Sequence, residues 1–112
     1  MAKVEIIDSL AKEIQKKFRG ESNEIVSLLR TLEQNPHKGK FLGQVGGVVI
    51  KEIKYKSFRF YFITDGYKLK VLSAEELSDL LIRFVRMSDK KDQQETINEI
   101  KNVLLKIGAG RF

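Results

Sequence analysis

Hydrophobic and polar residues alternate along the middle of the chain, and on either side of it they recur every three or four positions. Residues 48–55 (VVIKEIKY) and 58–64 (FRFYFIT) follow a period of two. Both runs are rich in β-branched and aromatic side chains, which favours two β-strands. Lys56 and Ser57 stand between them as a two-residue loop. The pattern therefore predicts a β-hairpin.

The two-residue loop also sets the register of this hairpin and separates its side chains onto two faces. Because side chains alternate along a strand, a slip of one residue would bury the charged set. The predicted pairs are Tyr55 with Phe58, Lys54 with Arg59, and Glu52 with Tyr61. The apolar face carries Ile53, Tyr55, Phe58, Phe60 and Phe62. The polar face carries Glu52, Lys54, Arg59 and Tyr61, with Ile50 and Ile63 at its far end. The apolar face is expected to pack against helices, with Lys51 at its margin extending into solvent.

Helical periodicity dominates the two ends of the chain. The predicted segments are a short strand over residues 3–7 and helices over residues 8–18, 23–34 and 92–107. Asp8 and Ser22 are placed to cap the first two helices through their side-chain oxygens. Pro36 ends the second helix, so the first two helices are expected to form a hairpin.

Shorter segments complete the predicted fold. They are a loop at residues 35–47, a turn at Asp65-Gly66, a strand at 67–73, a short helix at 74–81, a strand at 82–87 and a flexible tail at 108–112. Ser73 and Glu76 have the spacing of a capping box for the short helix. The sequence thus predicts one α+β domain over residues 1–107. Its order is a strand, two helices, an antiparallel meander of three to four strands with a short helical insertion before the last strand, and a C-terminal helix.

Composition narrows the class of protein. The chain has 112 residues, 42% apolar and 32% charged, which suffices for one core. No apolar run reaches the roughly 18 residues that a membrane span needs, and no signal peptide is recognised, so we expect a cytoplasmic protein. Cysteine is absent and His37 is the single histidine, so we predict no metal site and no cofactor. His37 lies in the glycine-rich loop, either as an exposed residue or as a general base.

The polar face of the hairpin is the candidate site. Lys54 and Arg59 side by side suit the binding of phosphate, the arginine through paired hydrogen bonds. Tyr61 would offer a ring on which a base stacks, and Glu52 would accept a proton from a ribose 2′-hydroxyl. Together these side chains would line an open trough for sugar–phosphate. The alternative is an ordinary solvated sheet face whose charges pair across the strands.

Further basic residues extend this candidate surface. Lys68 and Lys70 would lie on the third strand of the meander, Arg86 on the last strand, and Lys90 and Lys91 just before the final helix. With a formal net charge of +6, they favour a polyanionic partner such as nucleic acid. The start of the final helix would bind a phosphate through its free N–H groups. The alternative is a lysine-rich surface that is simply solvated.

Three motifs, in this order, resemble the RelE/ParE toxin superfamily, especially its HigB-like, phage-Gp49-like branch. They are LEQNPHKGKFLG at residues 32–43, IKEIKYKSFRFYFI at residues 50–63, and FVRMSDKKDQQETINEI at residues 84–100. They are similar to the exit of the family's second helix, its ELR…YR-YY hairpin and its F-KKS-KTP segment. The resemblance covers about residues 23–107 and implies the strand, helical hairpin, meander and terminal helix described above.

The resemblance implies the toxin of a type II toxin–antitoxin system, with a cognate antitoxin as its partner. Many members cleave mRNA on the ribosome without a metal, through attack of the 2′-hydroxyl on the adjacent phosphate. Arg59 would then contact the scissile phosphate, supported by Lys54 and Arg86, with Glu52 as base and Tyr61 as stacking platform.

Two departures from the family pattern leave other functions open. Residues 73–81 resemble an insertion before the last strand, and residues 92–112 lack the family's C-terminal tyrosine or histidine. The alternatives are a gyrase inhibitor on the same scaffold and a non-catalytic protein that binds RNA or an antitoxin.

Overall fold

A computed structural model describes residues 1–73 and 75–112 and places in them a five-stranded mixed sheet with four α-helices, an α+β fold. The elements are β1 (Lys3–Ile6), α1 (Asp8–Lys17), α2 (Ser22–Arg30), β2 (Lys40–Val45), β3 (Val48–Tyr55), β4 (Phe58–Asp65), α3 (Gly66–Val71), β5 (Leu81–Asp89) and α4 (Gln93–Lys106). The strand order is β1-β5-β4-β3-β2. β1 runs parallel to β5, and the other neighbours are antiparallel.

The β3–β4 hairpin has the predicted register. Lys54 pairs with Arg59 and Glu52 pairs with Tyr61, around a turn at Lys56 and Ser57. Lys56 adopts a left-handed conformation with φ of 54°, which closes the turn without an extra loop residue. Alternation of side chains was therefore sufficient to fix which residues share a face.

Helices cover both faces of the sheet. α1 and α2 pack on the aromatic face, where Phe60 and Phe62 are fully buried, as the apolar pattern predicts. α4 packs on the opposite face through Ile97, Ile100 and Leu104. The prediction of an open polar trough is therefore wrong, because α4 covers most of that face. The reason is that Ile50, Tyr61, Ile63 and Val85 form a second apolar cluster there, which α4 buries.

Two predicted segments differ in secondary structure. The predicted loop at residues 35–47 contains the edge strand β2, interrupted by a bulge between Phe41 and Gly43 that hides its alternation. Residues 67–73 do not form a third strand; most of them form α3, whose N-terminus is capped by the Asp65 carboxylate accepting from Lys68 N at 3.0 Å. β5 instead occupies the place beside β4, because its longer apolar run buries side chains against both helical layers.

The predicted caps are partly realised. The capping box is confirmed, since Ser73 N donates to Glu76 Oε1 at 3.0 Å and Glu76 N donates to Ser73 Oγ at 3.3 Å. Ala74, the first residue of the predicted short helix, lies outside the described residues; a 3₁₀ turn follows at Glu76–Asp79. Asp8 and Ser22 lie inside the first turns of α1 and α2, and neither acts as the N-cap.

The C-terminal residues 108–112 were expected to extend as a flexible tail. Instead they form a short 3₁₀ turn, Ala109–Arg111, and Ala109 and Phe112 pack against the apolar cluster beneath α4. Within the described part of the chain, no helix has both the length and the apolar character needed to cross a membrane.

Candidate functional site

Glu52 and Arg59 form a buried ion pair beneath the first turn of α4. Arg59 Nε lies 3.3 Å from Glu52 Oε2, and the two side chains are 9% and 1% exposed. Neither of these two atoms makes a hydrogen bond with any residue that the structure describes. Glu52 Oε1 accepts a hydrogen bond of 2.8 Å from the Gln93 side-chain amide. The pair is therefore enclosed by the sheet and α4, with unsatisfied hydrogen-bonding capacity at its centre.

Lys54 lies directly opposite Arg59 and is exposed. Paired residues on neighbouring strands share a face, so the two cations point to the same side of the sheet, as predicted. On the other flank of Arg59, Ser88 of β5 completes the same row across the sheet.

Tyr61 does not have the exposure that its expected stacking role requires. It is 0% exposed, and its hydroxyl lies 2.7 Å from Ser88 Oγ in a hydrogen bond. Burial raises the pKa of this phenol, and the bond to Ser88 opposes part of that rise. The ring is a member of the apolar cluster under α4, so it offers no face to a base.

Lys40 joins the candidate site although the sequence pattern did not indicate it. It lies on β2 directly opposite Glu52, and it is exposed. Cross-strand diagonal neighbours are about 7–8 Å apart, which brings Lys40 close to Lys54 on the same face. Gly39, with φ of 110°, allows the chain to approach Phe62 closely just before this strand. The glycines around β2 concealed the strand and hence this lysine.

Lys90 and Lys91 lie at the same end of the sheet. β5 ends at Asp89, opposite Phe58, and the two exposed lysines follow it immediately before α4. Four exposed lysines therefore lie at this end of the sheet, and we call them the lysine rim: Lys40, Lys54, Lys90 and Lys91. None of the four forms a salt bridge with a described residue.

The start of α4 is less simple than a phosphate cradle. Asp92 occupies the N-cap position, but its side chain makes no capping hydrogen bond. Asp89 Oδ1 instead accepts from Asp92 N at 2.9 Å. Two carboxylates thus stand beside Lys90 and Lys91 and reduce the local positive potential.

Arg86 is held away from the buried pair. Its Nε donates to Glu99 Oε1 at 2.6 Å and its NH1 group donates to Val85 O at 2.7 Å. The guanidinium also lies 5.2 Å from the centre of the Phe112 ring. Arg86 is therefore committed to contacts that fix α4 and the C-terminal turn.

Lys68 and Lys70 do not belong to this site. They lie on α3, beyond the far end of β4 from Arg59. Asp65 lies six residue steps along the strand from Arg59, a distance of roughly 20 Å. Their expected place beside the candidate site depended on the third strand that the structure replaces with α3.

Lys51 and His37 form a separate contact on the other side of the sheet. Lys51 is 7% exposed, so it does not snorkel from the sheet margin as predicted, and its Nζ donates to the His37 carbonyl oxygen at 3.0 Å. Desolvation lowers the pKa of Lys51. The His37 side chain is exposed, in agreement with the simpler of its two interpretations.

A cleft of about 600 Å³, lined in part by Val48, Thr64 and Leu81, is at the opposite end of the sheet from the lysine rim. Among residues 1–73 and 75–112, no three histidine, aspartate or glutamate side chains are grouped as a metal site would need. The candidate site is thus a surface of exposed lysines beside the buried Glu52–Arg59 ion pair, whose opposite charges offset each other. No protein-family model, curated protein or solved structure matches this chain.

Proposed function

We propose that this protein is the toxin component of a type II toxin–antitoxin system and that it cleaves mRNA on the ribosome. The proposal is supported by the order of strand, helical hairpin, four antiparallel strands and terminal helix, which is similar to the layout that the sequence resemblance implies except for α3 before the last strand. In this proposal the lysine rim holds the RNA backbone, and a small antitoxin protein is the partner that restrains the toxin in the cytoplasm.

The observation that carries the proposal is the Glu52–Arg59 pair. Buried ion pairs contribute little net stability, because desolvation offsets their attraction, and apolar pairs of the same size often replace them without loss. Here the facing Nε and Oε2 atoms also lack hydrogen bonds to residues 1–73 and 75–112. Unsatisfied buried groups in native structures call for an explanation. A pair that adds little to stability and adjoins the lysine rim is best explained by its use in chemistry.

The proposed reaction divides the work among three side chains. Glu52 accepts the proton of a ribose 2′-hydroxyl, whose oxygen attacks the adjacent phosphorus. Arg59 and Lys54 stabilise the charge that develops on the phosphate oxygens. The bond between phosphorus and the 5′-oxygen then breaks, which leaves a cyclic phosphate, and the departing 5′-oxygen takes a proton from solvent water to become a 5′-hydroxyl. Because Gln93 holds Glu52, this reaction requires the first turn of α4 to move away from the sheet.

A second candidate is a member of the same superfamily that binds without cutting. It is favoured by a specific observation: Glu52, Arg59 and Tyr61 are all at least nine-tenths buried. The exposed lysine rim would then bind RNA or an antitoxin, or the protein would inhibit gyrase. A translation extract programmed with a defined mRNA, run beside a gyrase supercoiling assay, separates these functions.

Binding is tested first, with a labelled single-stranded RNA and anisotropy measured over a range of salt concentrations. Replacing one lysine of the rim by glutamine is expected to reduce the slope of log affinity against log salt by about 0.7, the value for one phosphate contact to a single strand. Lys40→Gln and Lys54→Gln are the informative variants. Lys12→Gln, at an exposed position of α1 on the other side of the sheet, is the matched control.

Cleavage is tested in the translation extract with Lys54→Ala. Lys54 is exposed, so this variant is expected to keep the fold. Loss of one such charge-stabilising group is expected to reduce the rate about 10²–10³-fold. If native protein binds RNA through the rim but leaves the message intact, the non-cleaving candidate replaces the nuclease. If the rim variants bind RNA as native protein does, both RNA functions fail.

A further inference from the structure

The outer edge of β2 is an unpaired side of the sheet. Among the described residues, β2 is the last strand in the order and pairs with β3 alone. Its outward N–H and C=O groups are free to bond to an added strand. Phe41, at the second position of β2, is 57% exposed. An exposed aromatic side chain on an edge strand favours pairing with another chain.

The charge along this edge has one sign. Residues 34–50 contain no aspartate or glutamate, but they include Lys38 and Lys40. Lys101 reaches over the same strand from α4, because a Cβ added to Gly43 would lie 3.3 Å from its Nζ. None of these three ammonium groups forms a salt bridge with a described residue. A free strand edge is thus flanked by cations that lack counter-charges.

We propose that the β2 edge is a docking site for an acidic, extended segment of a partner protein. The segment adds a sixth strand to the sheet through main-chain hydrogen bonds, which is the recognition mode called β-augmentation. Its carboxylates meet Lys38, Lys40 and Lys101, and an apolar side chain covers Phe41. This inference rests on the edge strand alone and holds whether or not the protein acts on RNA.

Two other occupants fit less well. A second copy of this chain would bring the same lysine-bearing edge, so like charges would face each other. RNA would satisfy the lysines, but it has no row of alternating donors and acceptors to match the strand edge. Lysines and bulges also protect edges from pairing. If the lysines and the bulge only protected this edge, an exposed Phe41 would have no role there. A partner that covers Phe41 accounts for its exposure.

The experiment uses a short, blocked peptide of alternating glutamate and valine, labelled for anisotropy. A matched peptide carries N-methyl groups on alternate backbone nitrogens, which keeps its charge and side chains but removes hydrogen-bond donors. We expect native protein to bind the first peptide and to lose about tenfold in affinity for it on Phe41→Ser or on Lys40→Glu. Bound peptide should also slow amide hydrogen exchange within β2.

Three outcomes would overturn the proposal. Equal binding of the two peptides would show that charge alone attracts them. An equal loss of affinity in Lys12→Glu, on the exposed face of α1, would show the same. Protection of the β2 amides by an RNA oligonucleotide, or by self-association that Phe41→Ser abolishes in sedimentation, would assign the edge to another occupant.

Discussion

The Gln93 side-chain amide donates to Glu52 Oε1 at 2.8 Å and so joins the first residue of α4 to the middle of β3. The contact places an acidic side chain and its arginine partner inside the protein, although both stand on the polar face of an alternating strand. The same helix buries Tyr61. The position of α4 therefore decides which of the predicted functional residues reach solvent.

Removing both members of the Glu52–Arg59 pair is predicted to lower the free energy of unfolding less than removing one member and leaving the other buried. Glu52→Gln leaves a buried guanidinium unpaired, so the free energy of unfolding should fall by about 3–5 kcal/mol. The double variant Glu52→Leu/Arg59→Met removes both charges and should return to within about 1 kcal/mol of native protein or exceed it. Urea denaturation measures both values. A double variant as unstable as the single one would contradict this account.

The variant Tyr61→Phe removes the buried hydroxyl and keeps the ring, so it distinguishes the contributions of the two groups. Loss of the hydrogen bond to Ser88 should lower the free energy of unfolding by about 0.5–1.5 kcal/mol. RNA affinity should be unchanged, because the ring is fully buried and the lysine rim remains. Tyr67→Phe is the matched control, at a position 72% exposed, and should change neither quantity. Loss of RNA affinity in Tyr61→Phe alone would restore a direct role for this residue.

Lys51 should give the protein a stability that rises with pH under alkaline conditions. Desolvation lowers its pKa in the folded state below 10.5, whereas the unfolded chain keeps the ordinary value. Between the two values the unfolded state binds more protons, so the free energy of unfolding increases as pH rises. Relative to Lys51→Met, native protein should therefore gain stability as the pH rises towards 10.5.

The measurement for Lys51 is denaturant unfolding at a series of pH values, for native protein and Lys51→Met. Lys12→Met removes an exposed lysine and gives the background effect of the substitution. A difference between native protein and Lys51→Met that stays constant with pH would show that the ammonium group is not disfavoured in the folded state.

Gly39 and Gly46 provide a matched pair of left-handed glycines. Both have positive φ, 110° and 58°, but a Cβ at Gly39 would lie 3.0 Å from the Phe62 ring, whereas one at Gly46 meets nothing within 4 Å. Gly46→Ala should cost about 1–2 kcal/mol of backbone strain. Gly39→Ala should cost clearly more, because its strain adds to a clash in the core. Equal losses in thermal or urea unfolding would show that the core accommodates the methyl group.

Much of the local structure could be read from particular residues. The alternation through Lys54 and Arg59 determined the hairpin register, because any slip would bury charges and expose phenylalanines. The spacing of Ser73 and Glu76 determined a capping box. β2 escaped notice because its glycines and its bulge interrupt the alternation, and so Lys40 was missed. α3 was mistaken for a strand because a short alternating run fits either structure until a cap such as Asp65 decides.

By itself the sequence determined which side chains share a face, because that follows from the fixed period of a strand or helix. Only the tertiary structure decided what covers each face. The apolar stripe of α4 requires burial but does not name the surface that receives it, and Ile50, Ile63 and Val85 provided one on the charged side of the hairpin. Burial by a distant element sets the solvation of Glu52 and Arg59. Their surroundings therefore depend on contacts between residues far apart in the chain, which local periodicity does not encode.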